Sequence, residues 1–509
     1  MPKSVPAFTC PTLIVFISTM LLLESGIASV ITPITPPLNL AQQPTSPEKQ
    51  KAFAQAQQLL QAAEKLLEQG TTASRQQALA KYQAALKILQ QLAVKESPPY
   101  TARMSVAAAL NAIGTIHYTD GQSQKALESF QQSLAIAREI KDPLGEAFAL
   151  NSIANAYSNL GEKPKALELY KQAVSIFQAQ KKPATAAAVL TQIAGIYVSL
   201  GQTTNALATY NQALEIQRQQ KDANAQATTL KEIGLVYTSI GEPQKALASL
   251  NQSLEIQRAN KDLSGQADTL SHIASVYNSI GENQKALASL NAALALQKVA
   301  QGNLSATERI LNLSKQAFLL SNIGSVYKSM GNYSQALQSQ QQARSLLQQA
   351  GLPRLEAEIL NQMSFVYSEQ GELQQALDSL NAALKLQRGI KEAAREAFTL
   401  GNIAKIYALF GDYQKSLDSY NQALDIQLRI KDRPGEAVTL KDIAQVYGDL
   451  GDYQLSIATY NQALEIFRQT SDRTQMGQTL DSIGNTYRAA ENYPKSLEYY
   501  NQALKIWRD

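Results

Sequence analysis

Leu230 to Leu254 reads LKEIGLVYTSIGEPQKALASLNQSL, and the same text returns forty residues later. Tyr237–Asn251 and Tyr277–Asn291 differ only where Thr238 becomes Asn278 and Pro243 becomes Asn283. A fixed period of this size confines a chain to an array of like units, each touching only its neighbours, and it overrides the several ordinary domains that 509 residues would otherwise allow. The local pattern says what the unit is. Leu230, Ile233, Gly234 and Tyr237 recur at the spacing that lines one face of a helix. Gly241 ends that face, Pro243 suits the first turn of a new helix, and Ala246, Leu250 and Ser253 fall three or four apart again. The unit is a helix, a one-glycine break and a second helix.

Ten units keep this phase. Their break positions are Gly121, Gly161, Gly201, Gly241, Gly281, Gly331, Gly371, Gly411, Gly451 and Glu491, all 40 apart except the 50 between Gly281 and Gly331. The ten extra residues fall around 300–310 (AQGNLSATERI), read as a surface connector. Four residues before each break stands a tyrosine, from Tyr157 to Tyr487, with His117 substituting once. Five after it stands alanine, then Ser416, Ser456 and Ser496. The small residue lets two helices approach and the tyrosine fills the space beside it. Asp142, Asp222, Asp262, Asp432 and Asp472 are placed to cap the following helices. A divergent unit over 48–100, with Gly70 and then Ala78, Tyr82 and Ala85, precedes the regular ones at 101–509, as expected of the end of an array. No segment has a strand pattern.

These positions resemble the tetratricopeptide repeat. In the unit from Ala147 the matches are Leu150, Ile153, Ala154, Tyr157, Ala166, Tyr170 and Ala173. Leucine stands where that family usually has tryptophan, and the period is 40 rather than 34; both features look like the variant of kinesin light chains, Pins-type adaptors and bacterial arrays that precede a CHAT protease domain. The YNQALEI and GEA-x-TL phrases look most like the bacterial group, yet the chain stops at Asp509 without such a domain. The resemblance implies an all-α, right-handed α-solenoid of about eleven helix-turn-helix units, with first helices lining a concave groove for a peptide or protein. Carried over position by position, the groove residues include Asn111, Asn151, Asn155, Lys231, Ser275, Ser325, Asn361, Lys405, Gln445 and Asn485, with Asn402 nearby. The Lys-and-Asn clamp of chaperone-binding members is disfavoured, because Lys231 is matched with Leu235 and Lys441 with Gln445. Asn151 with Asn155 suits the backbone of an extended peptide; a merely solvated polar face is the competing reading.

The first thirty residues carry Lys3, an apolar run from Leu13 to Leu23, and small residues before Ser29. That pattern reads as a signal peptide over 1–28, with an uncleaved anchor as the alternative. A proline-rich linker, 29–47, follows. The expected location is extracytoplasmic: periplasmic, secreted or membrane-tethered. With 46 basic against 42 acidic residues and no charge block, no nucleic-acid partner is expected. The single cysteine, Cys10, lies in the segment expected to be removed.

No catalytic constellation emerges. His117 occupies a tyrosine position, read as an aromatic core substitute; His272 lies four repeats away, and neither has a nucleophile beside it. Each glycine is a lone helix breaker rather than a phosphate loop, and no metal-ligand spacing occurs, so no metal and no cofactor is expected. Leu497, Tyr500, Leu504 and Trp507 of the last unit have no following helix and form a candidate self-association edge. The reading is a non-enzymatic scaffold that binds protein or peptide partners in its groove. The alternative is the regulatory or sensor arm of a CHAT-type protease or signalling system encoded separately.

Overall fold

A computed structural model describes residues 46–95, 100–299 and 304–508. Twenty-two α-helices and no strand occur among them. They form eleven consecutive pairs, here A and B, from Pro47–Leu67 with Thr72–Lys95 to Arg473–Ala489 with Tyr493–Arg508. Leaving aside Ala223–Ser239, each A helix packs most extensively on its own B helix, and each B helix on the next A helix. The array divides into two compact units, 1–232 and 233–509. The signal reading and the linker up to residue 45 fall outside the described residues; Ser46 caps the first helix and Pro47 is its first residue, so the linker ends before them.

The turns explain the regular length of these helices. At the glycines from Gly121 to Gly451 the backbone is left-handed. Around Gly161 the Glu162 N–H donates to the Tyr157 carbonyl at 2.9 Å and the Gly161 N–H to the Ser158 carbonyl at 3.1 Å. This paired closure satisfies carbonyls that a helix end leaves open, and glycine enters the left-handed region without a Cβ penalty. The B-to-A turns use the same closure with a different residue. Lys141, Lys181, Lys221, Lys261, Lys391 and Lys431 are left-handed with φ of 55–59°, as is Gly351 in the corresponding place. The next residue then serves two helices: the Asp262 N–H donates to the Gln257 carbonyl at 2.9 Å, while its carboxylate accepts from the Gly265 N–H at 2.9 Å. Asp142, Asp222, Asp432 and Asp472 cap in the same way. Nothing in the structure favours lysine over glycine at these turns.

The small residues stand where the paired helices come closest. Ala166, Ala206, Ala246, Ala286, Ala336 and Ala376 are fully buried. In the last units serine takes this place, and the Ser456 and Ser496 hydroxyls donate to the Ala444 and Gly484 carbonyls, each at 2.8 Å. Opposite lies a large B-helix residue over a small A-helix one. A Cβ on Gly234 would lie 2.6 Å from Leu250 Cγ, and a Cβ on Gly114 would lie 2.5 Å from the Phe130 ring. Fully buried Tyr82, Phe177, Tyr460 and Phe467 also come from B helices.

The A-helix tyrosines differ from the expectation that they fill the core. Tyr157, Tyr237, Tyr277, Tyr407 and Tyr487 are half-buried, and a lysine from the paired B helix lies over each ring, as Lys245 does over Tyr237 at 5.7 Å. The ring packs with one face and offers the other to a cation. His117 is half-buried too, its Nδ1 3.1 Å from Gln122 Oε1, so it keeps the place of the tyrosine at the helix end without being a core residue. The inserted segment is not all connector. Ala306–Ser329 is a 24-residue helix opened by a reciprocal Ser305–Glu308 cap, so 306–310 are helical.

Candidate partner-binding surface

Three rows of positions fall on one face of each A helix: one, two and five residues after the leading leucine. The five-after row is partly committed to packing. Tyr170 donates its hydroxyl to Asn155 Oδ1 at 2.5 Å, Tyr460 to Gln445 Oε1 at 3.0 Å and Tyr500 to Asn485 Oδ1 at 2.8 Å. Burial pushes the Tyr170 phenol well up and that of Tyr460 up to about 12. Ser325 donates to its own helix at the Ser321 carbonyl, Ser275 is exposed, and Lys405 pairs with Asp442 at 3.1 Å.

The one-after and two-after rows meet across successive A helices. In the unit 233–509, Ser321 donates to Gln362 Oε1 at 2.6 Å, and buried Asn361 exchanges hydrogen bonds with Thr399 at 3.2 Å and accepts from Asn402 Nδ2 at 3.4 Å. Lys441 donates to Gln475 Oε1 at 2.8 Å, burial lowering its pKa against the pull of Asp442. Glu358 and Arg395 form an ion pair between neighbouring A helices, with Glu392 3.6 Å from Arg395. Asn361 and Asn402 are therefore buried inside a cross-helix network. The signal that locates this row in the sequence is a spacing of 41 between polar residues, which a search within single repeats does not reveal.

The unit 1–232 differs. Asn111, Asn151 and Gln192 are half-buried, and their side-chain oxygens have no hydrogen-bond partner. Lys231 is half-buried beside Glu232, whose carboxyl burial raises while Lys231 pulls it back. At the last pair, Leu497, Leu504 and Trp507 are exposed, while the Trp507 indole and the Tyr500 ring lie where a Cβ on Gly477 or Gly484 would stand. No group of three or more potential metal ligands occurs among the described residues, and no helix among them is long and apolar enough to cross a membrane.

The tetratricopeptide repeat profile matches residues 105–179, 185–259 and, in four overlapping windows, 315–509. The chain belongs to the tetratricopeptide repeat family. No curated protein matches it. Among solved structures, this tetratricopeptide array is similar to the apo form of RapI, with 15% identity, a TM-score of 0.50, and coverage of 75% of this chain and 99% of that one. It is also similar to BtubC (BKLC) from P. vanneervenii, at 21% identity and a TM-score of 0.41 over 46% of this chain and 94% of that one. A Podosopora anserina putative kinesin light chain with nearly identical repeats gives 22% identity and a TM-score of 0.34 over 38% of this chain and 96% of that one. These likenesses concern the fold.

Proposed function

We propose that this tetratricopeptide array is a non-catalytic scaffold that holds a protein or peptide against the A-helix face of residues 101–232. The supporting observation is the set of side-chain oxygens on Asn111, Asn151 and Gln192 that lack hydrogen-bond partners, where the later unit pairs the corresponding groups with each other. These oxygens are themselves buried, and a buried polar atom without a partner carries an energetic cost that is removed once the group turns to meet an incoming N–H donor. Rotation about the last side-chain bond turns such a carboxamide outward. An extended peptide offers N–H groups at regular intervals, and the neutral Asn and Gln composition matches its uncharged main chain. Capture by the full chain tests this: the Asn111→Ala/Asn151→Ala variant loses the partner at unchanged helicity and melting temperature. A partner retained at full affinity overturns the reading.

Export through residues 1–28 is the location we propose, from the Lys3, apolar and small-residue pattern. Fractionation of the expressing cell tests it, and the full-length chain found in the cytosol would overturn it. Self-association through exposed Leu497, Leu504 and Trp507 is a further proposed contact, checked by whether Leu497→Ser lowers the sedimenting mass.

A further inference from the structure

Within each of the two compact units, A-to-B turns of neighbouring repeats lie side by side. Lys163, two after Gly161, donates to the carbonyl of Ser199, two before Gly201, at 3.2 Å; Lys328, three before Gly331, pairs with Glu369, two before Gly371, at 3.0 Å. The Gly411 and Gly451 turns are neighbours too: Tyr413, just after the first, and Tyr447, just before the second, pack against one cluster that includes Ile443 and Val446.

This pair of turns departs from the rest of the array. Two residues before the break, the other nine in-phase units have Thr, Asn, Ser, Glu, Asp or Ala, and this one has Leu409. Four after it, nine units have Lys, Asn or Gln, and the Gly451 unit has Leu455. Leu409 and Phe410 are each 48% exposed, Leu450 50% and Leu455 41%. The change to Leu455 also alters charge. At the Gly241, Gly281 and Gly411 turns an acid just after the break pairs with the lysine three residues on: Glu242 with Lys245 at 3.4 Å, Glu282 with Lys285 at 3.3 Å, Asp412 with Lys415 at 2.8 Å. Asp452 has Leu455 in that place, and its carboxylate accepts the Leu455 N–H at 3.3 Å. Asp449, beside it, accepts from the neutral Gln445. From 448 to 456 the chain carries two acids and no base.

We propose that Leu409, Phe410, Leu450 and Leu455, bordered by Asp449 and Asp452, dock an amphipathic helix with an apolar stripe and basic flanks. One substitution, lysine to leucine, both extends the apolar strip and leaves the neighbouring carboxylate without its cation, so apolar area and negative charge come together. A helix with leucines on one face and lysines beside them matches both. The surface is separate from the A-helix face proposed above and does not depend on that reading.

The test is fluorescence anisotropy of a labelled synthetic helix made only of leucine and lysine, leucines on one face, titrated with the full chain. Its counterpart carries glutamate for lysine. The double variant Leu409→Ser/Leu455→Lys installs residues that stand at these places in the Gly241 unit, so it preserves the fold, which circular dichroism verifies. The leucine–lysine helix binds the wild-type chain, the double variant weakens it about tenfold or more, equivalent to roughly 1.4 kcal/mol, and Asn111→Ala/Asn151→Ala leaves it unchanged. Equal binding to the double variant overturns the proposal. So does equal binding of the leucine–glutamate helix, which would show an apolar surface without charge selection. A wild-type dimer abolished by the same substitutions would instead assign the edge to a second copy.

Discussion

The Tyr170 hydroxyl donates to Asn155 Oδ1 at 2.5 Å, so a residue read as facing a partner also closes a hydrogen bond for a phenol that is almost fully buried. Asn155→Ala leaves that hydroxyl without its acceptor and costs about 1–2 kcal/mol, whereas adding Tyr170→Phe recovers much of the loss because both polar groups are gone. Denaturant midpoints of the two single variants and the double variant measure the coupling. Strict additivity would show that the pair contributes nothing. For the same reason Asn151, whose side-chain oxygen has no partner, is the cleaner probe of binding.

Glu232 gives the array a dependence on pH. Burial raises its carboxyl above the ordinary value, with Lys231 opposing. The folded chain thus holds this proton more tightly than the unfolded one, and the associated stability is fully present below the unfolded pKa of about 4.3 and is lost as pH rises through the folded value. Glu232→Gln should raise the unfolding midpoint at pH 7.5 and leave it nearly unchanged at pH 3.5. An equal shift at both values would assign the effect to packing instead.

Lysine at the B-to-A turns is conformationally expensive. A left-handed residue with a Cβ costs about 1–2 kcal/mol, part of which glycine returns through its freedom in the unfolded chain. Lys261→Gly, which gives this turn the residue found at Gly351, should therefore stabilise the protein by about 0.5–1 kcal/mol. Thermal unfolding of the variant checks the sign. A loss would show that the Lys261 side chain does something at the surface that its backbone conformation conceals.

A row of buried glutamines is the fourth target. Gln217, Gln257, Gln297, Gln387 and Gln427 occupy one position near the B-helix ends, each with an Oε1 that lacks a partner, while Phe177, Leu347 and Phe467 fill that position elsewhere. Gln387→Leu should stabilise by about 1 kcal/mol, because it removes a desolvated carbonyl and keeps the volume. Equilibrium unfolding in urea measures it, and a destabilised variant would show that this carboxamide is satisfied in solution.

The helical array was legible in the sequence because its punctuation is chemical. A glycine every forty residues can only be a break, and Asp262 before a helix can only be a cap, so both appeared where they were expected. The lysine turns were not legible, since nothing in a lysine side chain announces a positive φ; the turn is closed by backbone hydrogen bonds, which form after Lys181 and Lys391 as well, where no aspartate follows. The half-exposed tyrosines were missed for a related reason: Tyr237 fits a core pattern by spacing, and the lysine over its outer face comes from another helix. Of the candidate surface, composition pointed to neutral positions such as Asn111, Asn151 and Asn361 alike. It could not separate an unpartnered amide such as Asn151 from one paired across helices such as Asn361, because that depends on which side chain the next unit places 41 residues on.

The junctions differ in one further respect along the chain. Lys221–Asp222 and Lys261–Asp262 close and open their helices with the same residues, and Tyr237–Asn251 differs from Tyr277–Asn291 at two positions. A gene encoding such units can gain or lose one by unequal exchange, and every new boundary would be one that already folds. From Ser321 to Gln475 the cross-helix partners are instead different at each step, Ser with Gln, Asn with Thr and Asn, Lys with Asp. There a shuffled unit would meet the wrong neighbour. The earlier part of the array is free to change in length, and the later part is held to its order.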